Sequence, residues 1–400
     1  MKCLPLLVVA CCLTHTSFSS TIHVPADQPT IQAGINAAQA GDTVLVAPGT
    51  YTENINFMGK AITVTSSGGP KATIIDGNAA APVAAFTTSE GPNSVLSRFT
   101  LRNGLGTFQF GYNGGGVSIS YASPTIEHNV ITNNVSLGDG GGIGVYFGSP
   151  VLTNNEITKN KTSVGGGIAI GGLSTPGAIV TRNVIEANVV NEFGGGISLD
   201  AVGYALIENN TIALNSASGS QGGGIWIVNE ADEVIVQNLI FSNSANSGSQ
   251  IYSSVPQSST GFRLVNNTIV STVPAADTAV MADGFNANAI IVNNIIVAAG
   301  SEAGILCNPV YKYGPPVVEF NDATSPQGLA YADSCAGFDG TNGNISAGPM
   351  FVSKKNFRLR TGSPAINTGT TSAPDLPSKD FANKPRIVNG TIDMGTYESQ

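Results

Sequence analysis

The stretch Ile207-Glu-Asn-Asn-Thr-Ile212 contains a phrase, apolar-x-x-Asn-x-Ile, that occurs seven times in the chain. Successive phrases are 26 to 29 residues apart, and their central residues are Asn129, Asn155, Asn183, Asn210, Asn238, Asn267 and Asn294. Self-similarity at a fixed period of about 20–50 residues is typical of stacked repeats. The phrase therefore predicts a solenoid, so we expect one long domain although the chain has 400 residues.

Each repeat also contains a glycine-rich start followed by alternating apolar residues, as in Gly194-Gly-Gly-Ile-Ser-Leu199. Apolar residues with period two indicate a strand, and three successive glycines would break a helix. We expect three strands per coil: one after the glycines, one running into the asparagine and one running out through a column of isoleucines. The predicted fold class is all-β, a single-stranded parallel β-helix with three faces.

The seven asparagines are interpreted as a structural ladder at one corner of the coil. Asparagine tolerates the left-handed conformation that a sharp corner requires. Coils stacked about 4.8 Å apart bring equivalent side-chain amides within hydrogen-bonding reach. We therefore predict that these residues hold the scaffold and do not form a binding site.

The N-terminal region carries two further signals. Lys2, the apolar run from Cys3 to Leu13 and the small residues before Ser19 are typical of a secretory signal, and the run is too short to span a bilayer. Residues 29 to 40 fit a short amphipathic helix that would cap the first coil. No later segment reaches about 18 apolar residues, so we expect a secreted or cell-surface protein without a transmembrane segment.

Charge and cysteine content narrow the functional classes. The formal net charge is −9 and no basic run is present, which argues against nucleic-acid binding. Cys307 and Cys335 are the cysteines outside the signal, and their separation of 28 residues equals one repeat. We predict a disulfide between neighbouring coils of an exported protein, the alternative being two independent buried residues.

With these features the chain resembles the right-handed parallel β-helix, or pectin-lyase-like, proteins of exported type. Ile22-His-Val-Pro-Ala-Asp-Gln-Pro-Thr-Ile31 and Gly41-Asp-Thr-Val-Leu-Val-Ala-Pro-Gly-Thr-Tyr51 are similar to the start of such proteins. Ser363-Pro-Ala-Ile-Asn-Thr-Gly369, Lys384-Pro-Arg386 and Ile392-Asp-Met-Gly-Thr-Tyr-Glu398 resemble the choice-of-anchor Q segment. The expected division is a signal peptide at 1–19, a capped β-helix at 20–344 and a terminal segment at 345–400.

The resemblance implies action on polysaccharides, usually in a groove along the strand that follows the glycine-rich turn. Small residues dominate the outward positions of these strands here, which predicts an open strip. Sugar rings stack on aromatic faces, so we predict a substrate-binding set on or near this strip: Phe108, Phe110, Tyr112, Tyr146 and Trp226. The alternative is that these aromatic residues cover neighbouring loops.

Candidate catalytic residues follow from the chemistry of such enzymes. Hydrolysis requires paired carboxylates, and elimination requires carboxylate-bound calcium with a basic residue. Near the strip, Asp139, Glu192 and Asp200 are the acidic candidates, and Lys159 and Arg182 are possible bases or uronate contacts. Calcium is a possible cofactor if loops bring the carboxylates together, and solvated turn residues are the alternative reading.

Two functional classes remain open at this level. One is an exported β-helix protein that binds or processes polysaccharide, lyase-like or hydrolase-like on uronate-type glycans. The other is a non-catalytic surface, adhesion or structural protein whose stiff coils present loops to a partner. In either case we expect a monomer with a polysaccharide or cell-surface glycan as its partner.

Overall fold

A computed structural model of the chain describes residues 19–107, 113–255, 261–272, 276–284, 288–312 and 314–399. The predicted signal segment lies outside these residues except for Ser19, and so do Phe108, Phe110 and Tyr112. The described chain winds into coils whose equivalent strands pair in parallel, which gives a β-helix with three faces.

The Gly-led face is the row of strands that follow the glycine-rich turns. Its inward residues form buried columns, as in Ile143, Ile168 and Ile197, which occupy successive positions of the register. Its strands, two of which continue around a corner, are Ile55–Asn56, Ala84–Phe86, Val117–Ser120, Ile143–Tyr146, Ile168–Gly171, Ile197–Glu208, Ile225–Val236, Ile251–Ser254, Thr278–Asp283, Ala303–Cys307 and Tyr331–Asp333.

The pre-ladder face is the row of strands that run into the asparagines. It includes the distal parts of the two 12-residue strands Ile197–Glu208 and Ile225–Val236. Its other strands are Thr21–Val24, Thr43–Val46, Thr63–Ser66, Val95–Ser97, Thr125–Glu127, Val151–Thr153, Ala178–Thr181, Arg263–Val265, Ile290–Val292 and Val317–Glu319.

The post-ladder face follows the asparagines and carries the isoleucine column. Ile157, Ile185 and Ile212 occupy successive register positions and are fully buried. Its strands are Gly49–Thr52, Thr73–Asp76, Thr100–Arg102, Val130–Thr132, Glu156–Thr158, Val184–Glu186, Thr211–Ala213, Leu239–Phe241, Thr268–Val270, Ile295–Val297 and Asp322–Thr324.

A short turn sheet joins the post-ladder face back to the Gly-led face. Its strands are Leu105–Gly106, Val135–Ser136, Lys161–Val164, Val189–Phe193 and Ser216–Ala217. The glycine triplets come next, where neighbouring coils approach closely. A Cβ on Gly167 would lie 2.7 Å from the Gly196 carbonyl oxygen and 2.6 Å from Ile185 Cγ2, so no larger residue fits.

The N-terminal cap is a helix from Ile31 to Ala37, shorter than the predicted 29–40. Thr30 is the N-cap residue: its backbone is extended and its side chain accepts a hydrogen bond from the Ala33 N–H. Ala38, the C-cap residue, also has an extended backbone. Ile31 and Ile35 are fully buried against the first coil, as their spacing predicts. No helix among the described residues is long and apolar enough to cross a membrane.

The asparagine ladder runs through the corner between the pre-ladder and post-ladder faces. In each step, an Asn Oδ1 accepts hydrogen bonds from the backbone N–H and the side-chain amide of the equivalent Asn one coil earlier. Asn155 Oδ1 lies 3.0 Å from Asn129 N, and Asn183 Oδ1 lies 2.9 Å from Asn155 N. The ladder continues past the seven predicted members through Asn321 and Asn344.

The corner itself is one residue earlier than we predicted. The left-handed residues are those that precede the ladder asparagines, with φ between 53 and 57°: His128, Asn154, Arg182, Asn209, Gln237, Asn266 and Asn293. Because the preceding residue makes the turn, each ladder side chain can point inward along the axis, where it is almost fully buried.

A second ladder, which the repeated phrase does not reveal, lies five residues further on. Asn134, Asn160, Asn188, Asn215 and Asn243 hydrogen-bond in the same pattern, with Asn188 Oδ1 lying 3.0 Å from both the backbone and side-chain nitrogens of Asn160. All five are buried. Asn134 and Asn160 also fit the N-x-S/T pattern, and their burial makes them inaccessible to glycosylation in the folded chain.

The last part of the chain forms a C-terminal strap, residues 351–399, that runs along the outside of the coils. It contains the hairpin Phe351–Ser353 and Asn356–Leu359, preceded in the chain by a 3-10 turn at Ala336–Phe338. The strap docks onto the left-handed corner row, where Gln237 Nε2 donates to the Lys379 carbonyl at 2.8 Å. It also covers apolar post-ladder residues, including Leu239 and Val270.

Candidate functional site

The Gly-led face aligns its outward residues in two columns. Ser118, Gly144, Ala169, Ser198 and Trp226 share the first column, and Ser120, Tyr146, Gly171, Asp200 and Val228 share the second. The register is the one that the alternation predicts. The columns nevertheless differ in accessibility, because only the second lies clear of the preceding turn.

The first column is not the open strip that small residues predict. Ala169 and Ser198 are fully buried, and Ser118 Oγ donates a hydrogen bond to Asn113 Oδ1 in the turn. In four of these turns a glycine in the left-handed region, Gly140, Gly165, Gly194 or Gly222, folds the turn back over the strand. A Cβ on Gly165, for example, would lie 2.6 Å from Ala169 Cβ. Small residues are needed here for close packing of the turn, which sequence alternation alone does not distinguish from an open groove.

Trp226 packs against its own neighbourhood. Its ring is stacked on Phe193 with centroids 4.7 Å apart and planes at 10°, and its Nε1 lies 3.4 Å from Gln221 Oε1. One face of the indole is therefore covered by protein. This arrangement matches the alternative reading, in which the aromatic residue covers a neighbouring loop.

Tyr146 belongs to an aromatic cluster with Tyr121 and Phe147, which we call the aromatic patch. The rings of Tyr121 and Phe147 are parallel at 5.4 Å, and Tyr146 meets both edge-on. Tyr121 is 60% exposed and Phe147 37%, so the stacked pair presents ring surface to solvent. Both have left-handed φ values, 52 and 48°, which are unusual for bulky residues.

The Phe147 ring can occupy this position because the equivalent residue of the next coil is Gly172, which has no side chain. A Cβ on Gly172 would lie 3.0 Å from the Phe147 ring. Tyr121 and Phe147 were not among the sequence candidates, although both directly follow a Gly-led strand at equivalent positions. That shared position after the strand is the signal that could have identified them.

The three acidic candidates influence one another electrostatically. Burial, followed by the charges of Asp200 and Glu192, raises the pKa of the Asp139 carboxyl to about 7. Asp139 is half-buried in the turn, Asp200 lies in the second outward column and accepts a hydrogen bond from Asn229 Nδ2, and Glu192 is exposed. The turn and the Gly-led strand thus place the acids within one electrostatic neighbourhood.

The two basic candidates lie elsewhere. Arg182 forms the left-handed corner between the pre-ladder and post-ladder faces, and Lys159 forms the corner after the strand Glu156–Thr158. Asp139 instead precedes the Gly-led strand, so the structure does not place the two basic candidates on that strand with the acids. Each residue directly precedes a ladder asparagine, Asn183 or Asn160, and only the coil geometry shows that these two corners lie off the Gly-led face.

Across the described parts of the chain, no group of three His, Cys, Asp or Glu side chains is arranged to hold a metal ion. Calcium therefore has no site built from three carboxylates there. Cys307 and Cys335 lie on adjacent coils with Cα atoms 5.5 Å apart and are joined as a disulfide.

Comparison with known proteins gives one match by sequence. The sequence model of the family described as "Right handed beta helix region" matches residues 174–342. No curated protein matches the chain significantly. Together with the parallel coils, the family match confirms the predicted fold class, a right-handed parallel β-helix.

Several solved structures are similar to the chain at low identity. The crystal structure of pectate lyase Pel9A has 18% sequence identity and a TM-score of 0.45, over 92% of this chain and 90% of that chain. A mannuronic acid specific polysaccharide family 6 lyase from human gut microbiota has 13% identity and a TM-score of 0.37, over 79% and 83%. A mutant of the PL6 family alginate lyase AlyGC has 13% identity and a TM-score of 0.34, over 90% of this chain and 60% of that chain.

Proposed function

We propose that the protein is an exported β-helix protein that binds polysaccharide on its Gly-led face. The observation that carries the proposal is the aromatic patch, since Tyr121 and Phe147 present stacked, solvent-exposed rings at the edge of that face. Sugar rings have apolar C–H faces that pack on such rings, and the tyrosine hydroxyl can hydrogen-bond to sugar hydroxyls. Tyr146 supports the pair from one side.

The nearby acids supply hydrolase-like chemistry in this proposal. With its pKa raised to about 7, the Asp139 carboxyl is protonated in about half of the molecules at neutral pH, and in that form it donates its proton to the glycosidic oxygen. Asp200 takes a proton from a water molecule that attacks the anomeric carbon. By register the coils of Asp139 and Asp200 are two steps apart, roughly 10 Å along the axis. This offset between coils is slightly larger than the distance of about 6.5–9.5 Å between the two carboxyl groups of inverting glycosidases.

Lyase-like chemistry is less well supported. Elimination on a uronate needs a cation for the substrate carboxylate and a base near the C5 proton, whereas Lys159 and Arg182 lie at other corners. The carboxylates of Glu192 and Asp200 would also repel a polyuronate unless calcium lay between them. A neutral glycan is therefore the preferred substrate class, and a uronate polymer with calcium is the variant to be compared with it.

A second candidate is a non-catalytic surface or adhesion protein. Two observations favour it: the turns cover the first outward column, and Phe193 covers one face of Trp226. The described strands therefore have no deep groove along this column. In this case the aromatic patch would contact a glycan or protein partner without turnover.

The experiment is incubation of the purified protein with neutral and uronate polysaccharides, with and without calcium, measuring binding, reducing ends and unsaturated products. Tyr121→Ala is expected to weaken binding at least tenfold, while Tyr311→Ala, which alters an exposed tyrosine elsewhere, leaves it unchanged. Asp139→Asn is expected to lower turnover about 100-fold with binding retained; Glu156→Gln, on the post-ladder face, is its control.

The outcomes separate the candidates. Binding that depends on Tyr121 without any turnover would leave the non-catalytic reading. Binding that Tyr121→Ala does not alter would reject the aromatic patch as the contact surface. If unsaturated products form, and only when calcium is present, the reaction is elimination and the hydrolytic mechanism is rejected.

Export and domain division belong to the same proposal. We infer that residues 1–19 are removed as a signal peptide, that 20–344 form the capped β-helix and that 345–400 form a segment of the choice-of-anchor Q type. The protein is proposed to act as a monomer outside the cell or at its surface. The N-terminal sequence of protein recovered from the medium, together with its mass in solution, tests these points.

A further inference from the structure

A cleft of about 690 Å³ lies where the C-terminal strap ends its run along the coils. Its floor is formed by the corner and post-ladder residues of two coils, and its wall by the strap. The coils contribute Arg182, Val184 and Thr211 to the lining, and the strap contributes Lys379, Phe381 and Asn383. This volume is in the range of small-molecule sites, about 300–1,000 Å³.

Two cationic side chains belong to opposite sides of the cleft. Arg182 comes from the corner of a coil and Lys379 from the strap. Within the described part of the chain, neither side chain has a carboxylate oxygen within 4 Å. Both are exposed, so their charges are available to a ligand in the cleft.

The two acidic residues of the cleft are engaged differently. Asp380 is buried, and its two carboxylate oxygens accept the backbone N–H groups of Lys384 and Glu398. Glu208 accepts a hydrogen bond from Asn209 Nδ2, and burial raises the pKa of its carboxyl. Glu208 is therefore the carboxylate that competes with a ligand for Arg182.

Arg182 is one of three residues of the left-handed corner row that are not asparagine, the others being His128 and Gln237. Asn154, Asn209, Asn266 and Asn293 occupy equivalent left-handed corner positions, and asparagine tolerates this conformation best among residues with a side chain. Arg182 adopts the same conformation, with φ of 55°, at the point where strap coverage ends. The coil corner requires this conformation in every member of the row, so the distinctive feature of Arg182 is its charge beside the strap.

We propose that this cleft binds a sugar-sized ligand carrying one anionic group, which Arg182 and Lys379 hold between them. The remaining lining fits such a ligand. Thr211, Ser378 and Asn383 offer hydroxyl and amide groups for hydrogen bonds to sugar hydroxyls, and Phe381 and Val184 offer apolar surface. The site is separate from the aromatic patch and does not depend on the function proposed for it.

The test is titration calorimetry of the full chain with galacturonate, galactose 6-sulfate and galactose. We expect saturable binding of at least one of the two anionic sugars, at least tenfold tighter than that of galactose; comparing the two anions decides between carboxylate and sulfate ester. Arg182→Gln and Lys379→Gln are each expected to weaken binding at least tenfold. Lys355→Gln, an exposed residue of the strap hairpin turn, is the charge-matched control and should leave binding unchanged.

One variant should act in the opposite direction. Glu208→Gln removes the competing charge and keeps an acceptor for Asn209, so it should tighten binding of the anionic sugar several-fold. Tyr121→Ala should not alter this site, which separates it from glycan binding at the aromatic patch. Equal binding of galactose, absence of binding by both anions, or unchanged binding in Lys379→Gln would overturn the proposal.

Discussion

At the scale of single residues, Glu233 is the least expected side chain in the interior. It is fully buried in the strand Ile225–Val236, in register with Ala205, and neither carboxyl oxygen has a hydrogen-bond partner among the residues that the structure describes. Burial raises the pKa of Glu233 to about 8. The carboxyl is therefore protonated in the folded chain at neutral pH, whereas it ionises near its ordinary value in the unfolded chain.

This difference predicts that stability falls as pH rises. Between about pH 4.5 and 8 the folded chain binds one more proton at Glu233 than the unfolded chain, so the free energy of unfolding declines over that range and levels off above it. Glu233→Leu should flatten this decline and stabilise the protein by about 1–3 kcal/mol at pH 8.

Chemical denaturation at several pH values measures the effect. Glu233→Gln separates its two causes, since it removes the titration and keeps an unpaired polar group. An unchanged pH dependence in Glu233→Leu would show that the carboxyl has a partner.

At the scale of structural elements, the two asparagine ladders stabilise the corners of successive coils with the same set of hydrogen bonds. Each internal asparagine joins three successive coils, because its oxygen bonds to the coil before and its amide to the coil after. For Asn188 these contacts are to Asn160, Asn215 and the Ile157 carbonyl. The corner is therefore specified once and repeated along the axis.

Asn188→Ala should destabilise the protein by about 2–4 kcal/mol. It leaves the buried Asn160 N–H and side-chain amide without their acceptor, and a buried unsatisfied group costs about 1–3 kcal/mol. The denaturation midpoint measures the loss. Asn93→Ala is the control, since Asn93 is exposed, lies outside both ladders and does not have a left-handed backbone; equal effects of the two variants would contradict the second ladder.

At the scale of the whole molecule, the C-terminal strap completes the outer surface of the later coils. Phe357 packs with Leu239 and Val270, and Arg263 bonds to Asp375 of the strap at 2.7 Å. The strap is thus an integral layer of the fold, although the sequence suggests a separate terminal segment.

Removal of residues 351–400 should uncover this apolar surface. We expect the truncated chain to bind a hydrophobic dye, to associate, and to unfold at a lower temperature than the full chain. Phe357→Ala provides a milder form of the same test, with an expected loss of about 3–5 kcal/mol. Full stability in both variants would mean that the strap is dispensable.

The sequence by itself determined the coil. The period of the asparagine phrase, the glycine-rich starts and the isoleucine column specify stacked parallel strands, because each feature repeats at the same place in every turn. Because successive coils make the same local contacts, their contributions to stability add along the axis, and the sequence pattern alone is sufficient to predict the coil. The second ladder shares half of the phrase, since an isoleucine stands three residues before each of its asparagines, but it lacks the isoleucine two residues after.

Tertiary structure decided where chemistry can occur. The aromatic patch depends on Tyr121 and Phe147 stacking across two coils, and the ligand cleft joins Arg182 to Lys379, almost 200 residues apart. It also placed Arg182 away from Asp139. Such relations depend on how turns fold over strands and where the strap docks, and these distances between non-repeating residues carry no periodic signal in the sequence.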